Sequence, residues 1–304
     1  MDGFIINILE QGFIFSIMAI GVYITYKILD FPDLSVDGTF ALGAAVTATS
    51  LLKGINPFMS LILAFIVGCL AGGVTGLLHV KLKITNLLSG ILVMIGLYSI
   101  NLRIMGKANI PLFAQSTIFS SSISPVIIIF IFAILTKIAL DLFLKTKLGF
   151  VLKATGDNPQ MVTSLGIDIG TIKIVGLMLS NGLVAVSGSM MAQYQRFSDV
   201  GMGTGIIVMG LASVILGESV FKKAHFLLPT TTAILGSILY KTSLSLALKL
   251  GLPPTDLKLI TCIIVIMALS LNGKKLNLGF KALKSFTSGG VKIASNKKSA
   301  KSFQ

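Results

Sequence analysis

The stretch "DFPDLSVDGTFALGAAV", Asp30 to Val46, lies between two apolar runs and carries three carboxylates within its first eight residues. Pro32 cannot donate to a helical hydrogen-bond ladder, and Gly38 weakens one, so helix continuity is expected to break here. A break of this kind at membrane depth is tolerated where the backbone is buried in protein or lines a cavity. The stretch therefore predicts a discontinuous helix.

Two interpretations of the charges in this stretch remain open. Asp33, Ser35 and Asp37 can cap the start of the next short helix, where an acidic side chain also complements the positive end of the helix dipole. Alternatively, the same side chains contact a solute directly, since ionisable residues within membrane segments often mark a transport path.

The composition of the chain identifies its class. Of 304 residues, 54% are hydrophobic and 12% are charged, and the mean hydropathy is +0.93. A soluble domain carries about 25% charged residues. Apolar runs of spanning length recur along the chain, so we expect an all-α polytopic membrane protein with about 8–10 transmembrane helices, some of them discontinuous.

Nine candidate spans follow from these runs. Two of them, Gly38–Leu52 and Gly205–Leu216, are too short for a full crossing at about 1.5 Å per residue. The other seven are Phe4–Leu29, Pro57–Leu78, Leu87–Arg103, Pro125–Leu144, Ile172–Ala192, Leu228–Leu248 and Leu257–Leu271.

The basic residues predict orientation. The net charge is +14, and eight of the 25 basic residues follow Leu271. Basic residues favour cytoplasmic loops, so the C-terminus is expected inside and the N-terminus outside if each short segment crosses. Residues 273–304 form a basic tail that is expected to be disordered and to contact anionic lipid. Nucleic-acid binding is not expected, because no aromatic residues are interleaved with a basic face. The other basic loops expected inside contain Lys81 and Lys83, Lys145, Lys147 and Lys153, and Lys222 and Lys223.

An internal repeat relates two parts of the chain. "FPDLSVDGTFALGAAV" (31–46) aligns with "FSDVGMGTGIIVMGLASVILG" (197–217), because Phe-x-Asp and then Gly-Thr precede a short, small-residue apolar segment in both. Five candidate crossings separate the copies, an odd number, so they are expected to be inverted in the membrane. Inverted repeats with short helices in matching positions are typical of transporters. The matched residues are Phe31, Asp33, Gly38 and Thr39 in the first copy and Phe197, Asp199, Gly203 and Thr204 in the second.

The longest polar stretch before the tail, residues 145–173, predicts a short cytoplasmic helix. Asp157 or Asn158 is suited to the N-cap, Pro159 to the first helical position and Gly166 to termination. Such an amphipathic helix either lies on the lipid surface or docks into a partner. Its apolar positions are Met161, Val162 and Leu165.

Enzyme sites are not apparent in the sequence. It has no phosphate-binding loop, and its two histidines lack a second metal ligand at suitable spacing. Lys137 and Asp141 are four residues apart and are expected to form a structural pair. No catalytic or metal-ligating residue is therefore assigned. The residues predicted to line a translocation path are Asp33, Ser35, Asp37, Thr39, Phe40, Asn101, Asn181, Met190, Tyr194 and Thr204.

Four stretches together resemble a known family. They are "ILDFPDLSVDGTFALGAAV" (28–46), "LKATGDNPQMVTSLGI" (152–167), "VSGSMMAQYQRFSDVGMG" (186–203) and "GLASVILGE" (210–218). Their order is similar to that in permease subunits of ABC importers of the branched-chain amino-acid/ribose permease superfamily. The branch that works with a lipoprotein-type binding protein, and that includes tryptophan and tyrosine uptake systems, is most similar. The resemblance covers about residues 12–271.

The resemblance implies an architecture and partners. A type II ABC importer contains a permease dimer, here expected to be a homodimer, two ATPase subunits that bind the ATP, and an extracytoplasmic binding lipoprotein in a bacterial cell membrane. Asp33–Phe40 would begin a broken helix beside the translocation path, with Gly203–Gly217 as its counterpart. The permease domain would span 1–272, with halves at about 1–144 and 167–272 around a coupling segment at 145–166. The coupling residues would be Asp157, Asn158, Pro159, Gln160, Met161, Leu165 and Gly166.

The resemblance also implies a function, and one alternative function stays open. The chain would itself need no cofactor or ATP site and would translocate a small solute, expected to be an aromatic or branched-chain amino acid. The uncharged polar character of the predicted path fits a zwitterionic or neutral solute. The runner-up is an ion-coupled secondary transporter, which favours unpaired membrane carboxylates, and these are scarce here.

Overall fold

Eleven α-helices make up most of the part of the chain that the computed structural model describes, residues 2–221, 227–251, 253 and 256–272. The predicted all-α class is confirmed. The basic tail and the loop with Lys222 and Lys223 lie outside the described residues. The helices are α1 Asp2–Tyr23, α2 Ser35–Leu52, α3 Pro57–Val80, α4 Asn86–Met105, α5 Pro125–Lys145, α6 Lys147–Asp157, α7 Pro159–Ser164, α8 Ile169–Gln195, α9 Ile206–Val220, α10 Pro229–Lys249 and α11 Leu257–Asn272.

Six of the described helices are long and apolar enough to cross a membrane: α1 with its continuation to Ile28, α2, α3, α4, α5 and α8. The second predicted span is longer than expected, since α2 begins at Ser35 rather than Gly38 and has 18 residues. At about 1.5 Å per residue this length approaches the hydrocarbon thickness. Helix α9 has 15 residues and remains short, as the sequence indicates.

Helix α8 lies at the centre of the bundle and packs closely on α3. Gly68, Gly72 and Gly76 face α8, and a Cβ added to Gly72 would collide with the carbonyl of Leu177. Small residues at this spacing permit the backbone approach that van der Waals packing in lipid requires. This glycine face therefore packs inside the chain, against α8.

Contacts along α8 give the direction of its neighbours. Its late residue Tyr194 bonds Glu10 near the start of α1, while Ser180 bonds the carbonyl of Gly21 near the end of α1. Helix α1 is therefore antiparallel to α8. Helix α2 is parallel to α8, because Ser35 at its start bonds Asn181 and Thr47 further along bonds Ser189.

A two-stranded antiparallel sheet lies at one end of the bundle. Strand β1 (Asn109–Pro111) pairs with β2 (Phe197–Asp199), and Asn109 faces Asp199. Each strand has three residues, so no periodic pattern in the sequence predicts it. The sheet marks what we call the hairpin end, where α1 begins and α8 ends; α6 and α7 mark the opposite, α7 end.

Helix α6 was not predicted. Its sequence "KLGFVLKATGD" contains two glycines, which lower helix propensity. Thr146 offsets this by capping the helix, its hydroxyl accepting a hydrogen bond from the backbone N–H of Gly149 at 3.2 Å. Leu152 is buried in the core cluster beneath the break after α1, so tertiary packing stabilises a helix that local propensity does not favour.

Candidate functional site

The break after α1 has the position that the sequence predicts. The α-helix gives way to a π-helical turn at Ile24–Ile28, and Asp30 adopts a left-handed backbone conformation with φ of 50°. The backbone N–H of Phe31 donates to the carbonyl of Thr25 at 2.8 Å. Single π-helical turns within α-helices are often found at functional sites. The chain then enters α2 at Ser35 within the bundle.

Asp33 is enclosed in a buried polar network beside this break. It is 1% exposed, and its Oδ1 accepts a hydrogen bond from the backbone N–H of Ser35 at 2.9 Å. The Asn181 side-chain amide donates to the other oxygen at 2.7 Å. The Ser35 hydroxyl donates to the Asn181 carbonyl oxygen at 3.2 Å. The Asp33 side chain therefore caps α2 and fastens it to α8.

Asp37 joins the two broken helices. It lies in the first turn of α2, and its two carboxylate oxygens accept hydrogen bonds from the backbone N–H groups of Gly205 and Ile207, each at 2.8 Å. These groups belong to the start of α9. The positive dipole ends of α2 and α9 thus meet at one carboxylate, which stabilises the negative charge.

The two broken helices run in opposite directions from this meeting point. Helix α9 is parallel to α1, since Gly210 packs on Met18 and Val22 and Glu218 pairs with Lys27 near the end of α1 at 3.0 Å. Helix α2 is antiparallel to α1. The inverted orientation expected from the repeat is therefore present in this pair of helices.

One cavity opens beside this junction, on the side of α4. It has a volume of about 340 Å³ and is lined by Asp37, Tyr98, Asn101 and Thr204 among others. The Asn101 amide donates to the carbonyl of Gly38 at 3.2 Å, and its Oδ1 is buried without a hydrogen-bond partner within the described residues. We call this space the Asn101 cavity.

A second cavity lies on the other side of the junction, towards α10. Its volume is about 470 Å³, and its lining includes Gln11, Phe40, Asp199 and Lys241. Because β2 contributes Phe197 and Asp199, while Gln11 and Phe15 come from the middle of α1, this Lys241 cavity lies between the hairpin end and the middle of the bundle. Phe40, one of the residues predicted to line the path, also lines this cavity. Lys241 lies within the predicted span Leu228–Leu248, and a charged residue inside a span is the sequence signal that points to such a site.

The remaining predicted path residues have other positions. Thr39 is buried and its hydroxyl donates to the carbonyl of Ser35 at 3.0 Å. Met190 is fully buried in the main hydrophobic cluster. Tyr194 donates its hydroxyl to Glu10 at 2.7 Å at the hairpin end.

Three of the predicted path residues, Asp37, Asn101 and Thr204, do converge, because all three line the Asn101 cavity.

The predicted capped helix at residues 157–166 is present as α7. Asn158 is its N-cap, with its side-chain oxygen accepting from the backbone N–H of Met161 at 3.1 Å, and Pro159 occupies the first turn. Gly166 follows with φ of 76°, a conformation that glycine adopts without strain. Leu165 is 67% exposed. Asp157 ends α6 instead of capping α7.

The pair predicted within α5 is also present. Lys137 and Asp141 form an ion pair at 2.7 Å, and Asp141 additionally accepts a hydrogen bond from the Thr230 hydroxyl at 2.6 Å. The pair therefore links α5 to the start of α10, and it contributes to neither cavity.

Comparison with known proteins gives the family. A family model described as "Branched-chain amino acid transport system / permease component" matches residues 4–270. A "Tyrosine transport system permease protein" of Clostridioides difficile (strain R20291) is 56% identical over 274 residues, covering 90% of this chain and 93% of that protein. The "Ribose import permease protein RbsC" of Escherichia coli (strain K12) is 26% identical over 219 residues, covering 69% and 68%.

No solved structure matches the chain. The family match nevertheless extends over nearly all the described residues, and it includes both broken helices, their junction at Asp37 and the capped helix α7. The chain therefore belongs to the family of permease components of branched-chain amino acid transport systems.

Proposed function

We propose that this chain is the translocating subunit of an ATP-driven importer whose solute is an aromatic amino acid, tyrosine being the first to test. The 56% identity to a tyrosine transport permease, over nine-tenths of both chains, carries this proposal. The family match over residues 4–270 includes the helices that form both cavities. Permeases of this family work in ABC transporters, where a separate subunit hydrolyses ATP and a binding protein supplies the solute.

The junction of α2 and α9 supports a transport role. Two helices that begin inside the bundle and point at each other leave backbone N–H groups there, and Asp37 satisfies those of Gly205 and Ile207. Broken helices meeting near mid-membrane are typical of transporters. Cavities on both sides of this junction give space for a solute of amino-acid size.

In this proposal α7 is the coupling helix that docks into the ATPase. Met161 and Leu165 are 45% and 67% exposed, whereas Val162 is buried and holds α7 on the chain. Exposed apolar side chains at the α7 end offer a surface for a partner protein. The segment 145–166 then separates permease halves at about 1–144 and 167–272, and the tail 273–304 lies in the cytoplasm beside anionic lipid.

A packed route links this segment to the break after α1. Gly156 lies directly against the carbonyl of Ile28, where any Cβ would collide. A cavity of about 390 Å³ lies beside this contact, lined by Tyr26, Lys27, Asp30 and Asp157 together with Gly156. A displacement of α6 and α7 would therefore press on the turn that precedes α2 and the junction.

The function is tested by reconstitution. The chain is co-expressed with a candidate ATPase and a candidate binding lipoprotein from the same genome, and uptake of radiolabelled L-tyrosine into proteoliposomes is measured. ATP-dependent uptake that requires the binding protein is the expected result. Uptake by the chain alone, driven by a proton or sodium gradient, would show a secondary transporter instead.

The coupling role is tested at α7. Leu165→Asp is expected to abolish co-purification of the ATPase, because it places a charge in the proposed docking surface. The matched control is Phe113→Asp, which changes a 70% exposed apolar residue at the hairpin end. Equal recovery of the ATPase with both variants would contradict the docking role of α7.

A further inference from the structure

We propose that the Lys241 cavity is an amino-acid binding site in which Lys241 holds the solute carboxylate. This inference rests on the proposed function, since it names where the permease itself recognises an amino acid. It assigns a polar contact to each end of a zwitterion and an apolar wall to its side chain.

Lys241 is a buried cation in the middle of α10. It is 7% exposed, and no carboxylate within the described residues lies in ion-pair distance of its ammonium group. The half-buried Lys137, by contrast, is paired with Asp141 at 2.7 Å. A buried charge is costly unless it is paired, and an unpaired one inside a bundle marks a substrate or ion pathway.

The ammonium group of Lys241 is held by two neutral groups on α1. It donates to Oε1 of Gln11 at 3.1 Å and lies 4.0 Å from the centroid of the Phe15 ring. The Gln11 amide donates in turn to Asn7 at 2.9 Å, which fixes its orientation. These contacts position the cation and leave donor capacity for a carboxylate, because an ammonium group has three N–H bonds.

A carboxylate lines the same cavity. Asp199 accepts hydrogen bonds from the backbone N–H of Gly201 at 2.8 Å and from the Asn109 amide at 3.3 Å. Neither donor is charged, and no ion pair forms with Asp199 among the side chains that the structure describes. An ionised carboxylate has about four acceptor positions, so Asp199 retains capacity for an ammonium group.

Aromatic and thioether side chains form the rest of the wall. The rings of Phe15 and Phe40 stack with centroids 6.1 Å apart, and Phe197 and Met209 also line the space. Its volume of about 470 Å³ falls within the range of small-molecule pockets. One cation, one carboxylate and an aromatic surface together fit a zwitterionic amino acid with an apolar or aromatic side chain.

The position of the cavity suits a solute that enters from the hairpin end. Gln11 and Phe15 come from α1, Asp199 from β2, and Lys241 from α10, so both halves of the chain contribute. Ile206 at the start of α9 lines the same space, and its neighbour Ile207 is bonded to Asp37. Solute bound here therefore contacts the junction of the broken helices.

The test measures binding to the permease–ATPase complex in the absence of the binding protein. Radiolabelled L-tyrosine is titrated in a scintillation-proximity assay on wild type and Lys241→Gln. Losing a charged hydrogen-bond partner is expected to raise the half-saturating tyrosine concentration roughly 10- to 100-fold. The matched control is Lys249→Gln, which removes an exposed lysine of the same helix that lies 5.0 Å from the Phe4 ring; binding should change less than about twofold.

Competition with tyramine, which lacks the carboxylate, separates a binding role from a structural one. If Lys241 were merely structural, replacing it would not change the preference for tyrosine over tyramine. Wild type is expected to discriminate against tyramine at least tenfold, and Lys241→Gln to lose this discrimination. If Lys241→Gln does not assemble, Lys241→Arg, which retains the charge, replaces it in the test. Discrimination against tyramine is then compared between Lys241→Arg and wild type.

Each outcome bears on one proposal. Equal tyrosine binding in wild type and Lys241→Gln, equal competition by tyramine in wild type, or the absence of saturable binding by a complex that transports would each overturn the assignment of this site. Failure of the whole reconstituted system to take up tyrosine would instead overturn the proposed function. Loss of binding in Asn101→Ala but not in Lys241→Gln would transfer the site to the Asn101 cavity.

Discussion

The two turns that carry Asp33 and Asp199 have the same local construction and different surroundings. In each, one carboxylate oxygen accepts from the backbone N–H two residues later, at 2.9 Å from Ser35 and at 2.8 Å from Gly201. In each, the other oxygen accepts from an asparagine side chain. The sequence repeat is therefore also a repeat of hydrogen bonding.

The surroundings separate the two turns. Asp33 is 1% exposed and bonded to α8, the central helix of the bundle. Asp199 lies at the hairpin end and lines the Lys241 cavity. The same motif thus serves as a structural fastening in the first half of the chain and remains available to a ligand in the second. Burial, and not the motif, distinguishes the two roles.

Replacing both carboxylates tests this difference most directly. Asp33→Ala leaves the Ser35 N–H and the Asn181 amide without partners in a buried site, and should lower the free energy of unfolding by about 2–3 kcal/mol. Asp199→Ala removes bonds at the surface and should cost less than about 1 kcal/mol. Thermal unfolding of the purified variants in detergent measures both. Equal losses would show that the two turns are energetically equivalent.

Packing at Gly203, in the Gly-Thr pair of the second repeat copy, should have the next largest effect on stability. A Cβ on Gly203 would collide with the carbonyl of Asp37, so Gly203→Ala must displace the start of α9. We expect a loss of about 1–3 kcal/mol in the free energy of unfolding, together with reduced uptake. Gly201→Ala is the control, since its Cβ would meet only side-chain atoms, the nearest being Asp199 Oδ1 at 3.2 Å. An unchanged melting temperature for Gly203→Ala would refute the close approach.

Asp37 of the first repeat copy caps α9 of the second, and this cap should contribute less to the free energy of unfolding. Asp37→Asn retains one acceptor for the two N–H groups of α9 and removes the charge from two dipole ends, at a cost of about 1 kcal/mol. Asp30→Asn is the control, because Asp30 is exposed and its left-handed backbone conformation suits asparagine. The two variants are compared by thermal unfolding and by uptake rate; a larger effect from Asp30→Asn would contradict the role of Asp37.

Replacing the exposed carboxylate cap Asp168 should have the smallest effect on stability. At the start of α8, Thr171 donates to Asp168 through its hydroxyl at 2.6 Å, and Gly170 donates through its backbone N–H at 2.9 Å. These hydrogen bonds hold the pKa of Asp168 below its ordinary value. The stability that they contribute is therefore present above that ordinary value, about 4, and is lost as the pH falls through the lowered folded-state pKa.

The pH dependence of unfolding measures this contribution. Wild type should exceed Asp168→Asn slightly in melting temperature near neutral pH, and the difference should shrink below about pH 4. A difference that grows on acidification would have the wrong sign for a carboxylate with a lowered pKa.

Much of this architecture follows from local features of the sequence. The apolar runs define the spans, Pro32 and Gly38 define the break, and Asn158, Pro159 and Gly166 define α7. Each of these signals acts within a few residues, through backbone geometry or through the transfer of side chains into lipid, so it is visible without knowledge of distant neighbours. The inverted repeat was also detectable, because a shared local turn requires the same residue types.

The tertiary structure alone decided which polar residues are available to a solute. Asp33 and Asn181 enclose each other although 148 residues separate them, and Gln11 meets Lys241 across 230 residues. The sequence therefore selected Asp33, Asn181 and Met190 with no means of recognising their burial, and it left Lys241 without a role. Helix pairing brings such groups together or seals them off, and it depends on close contacts between segments far apart in the chain.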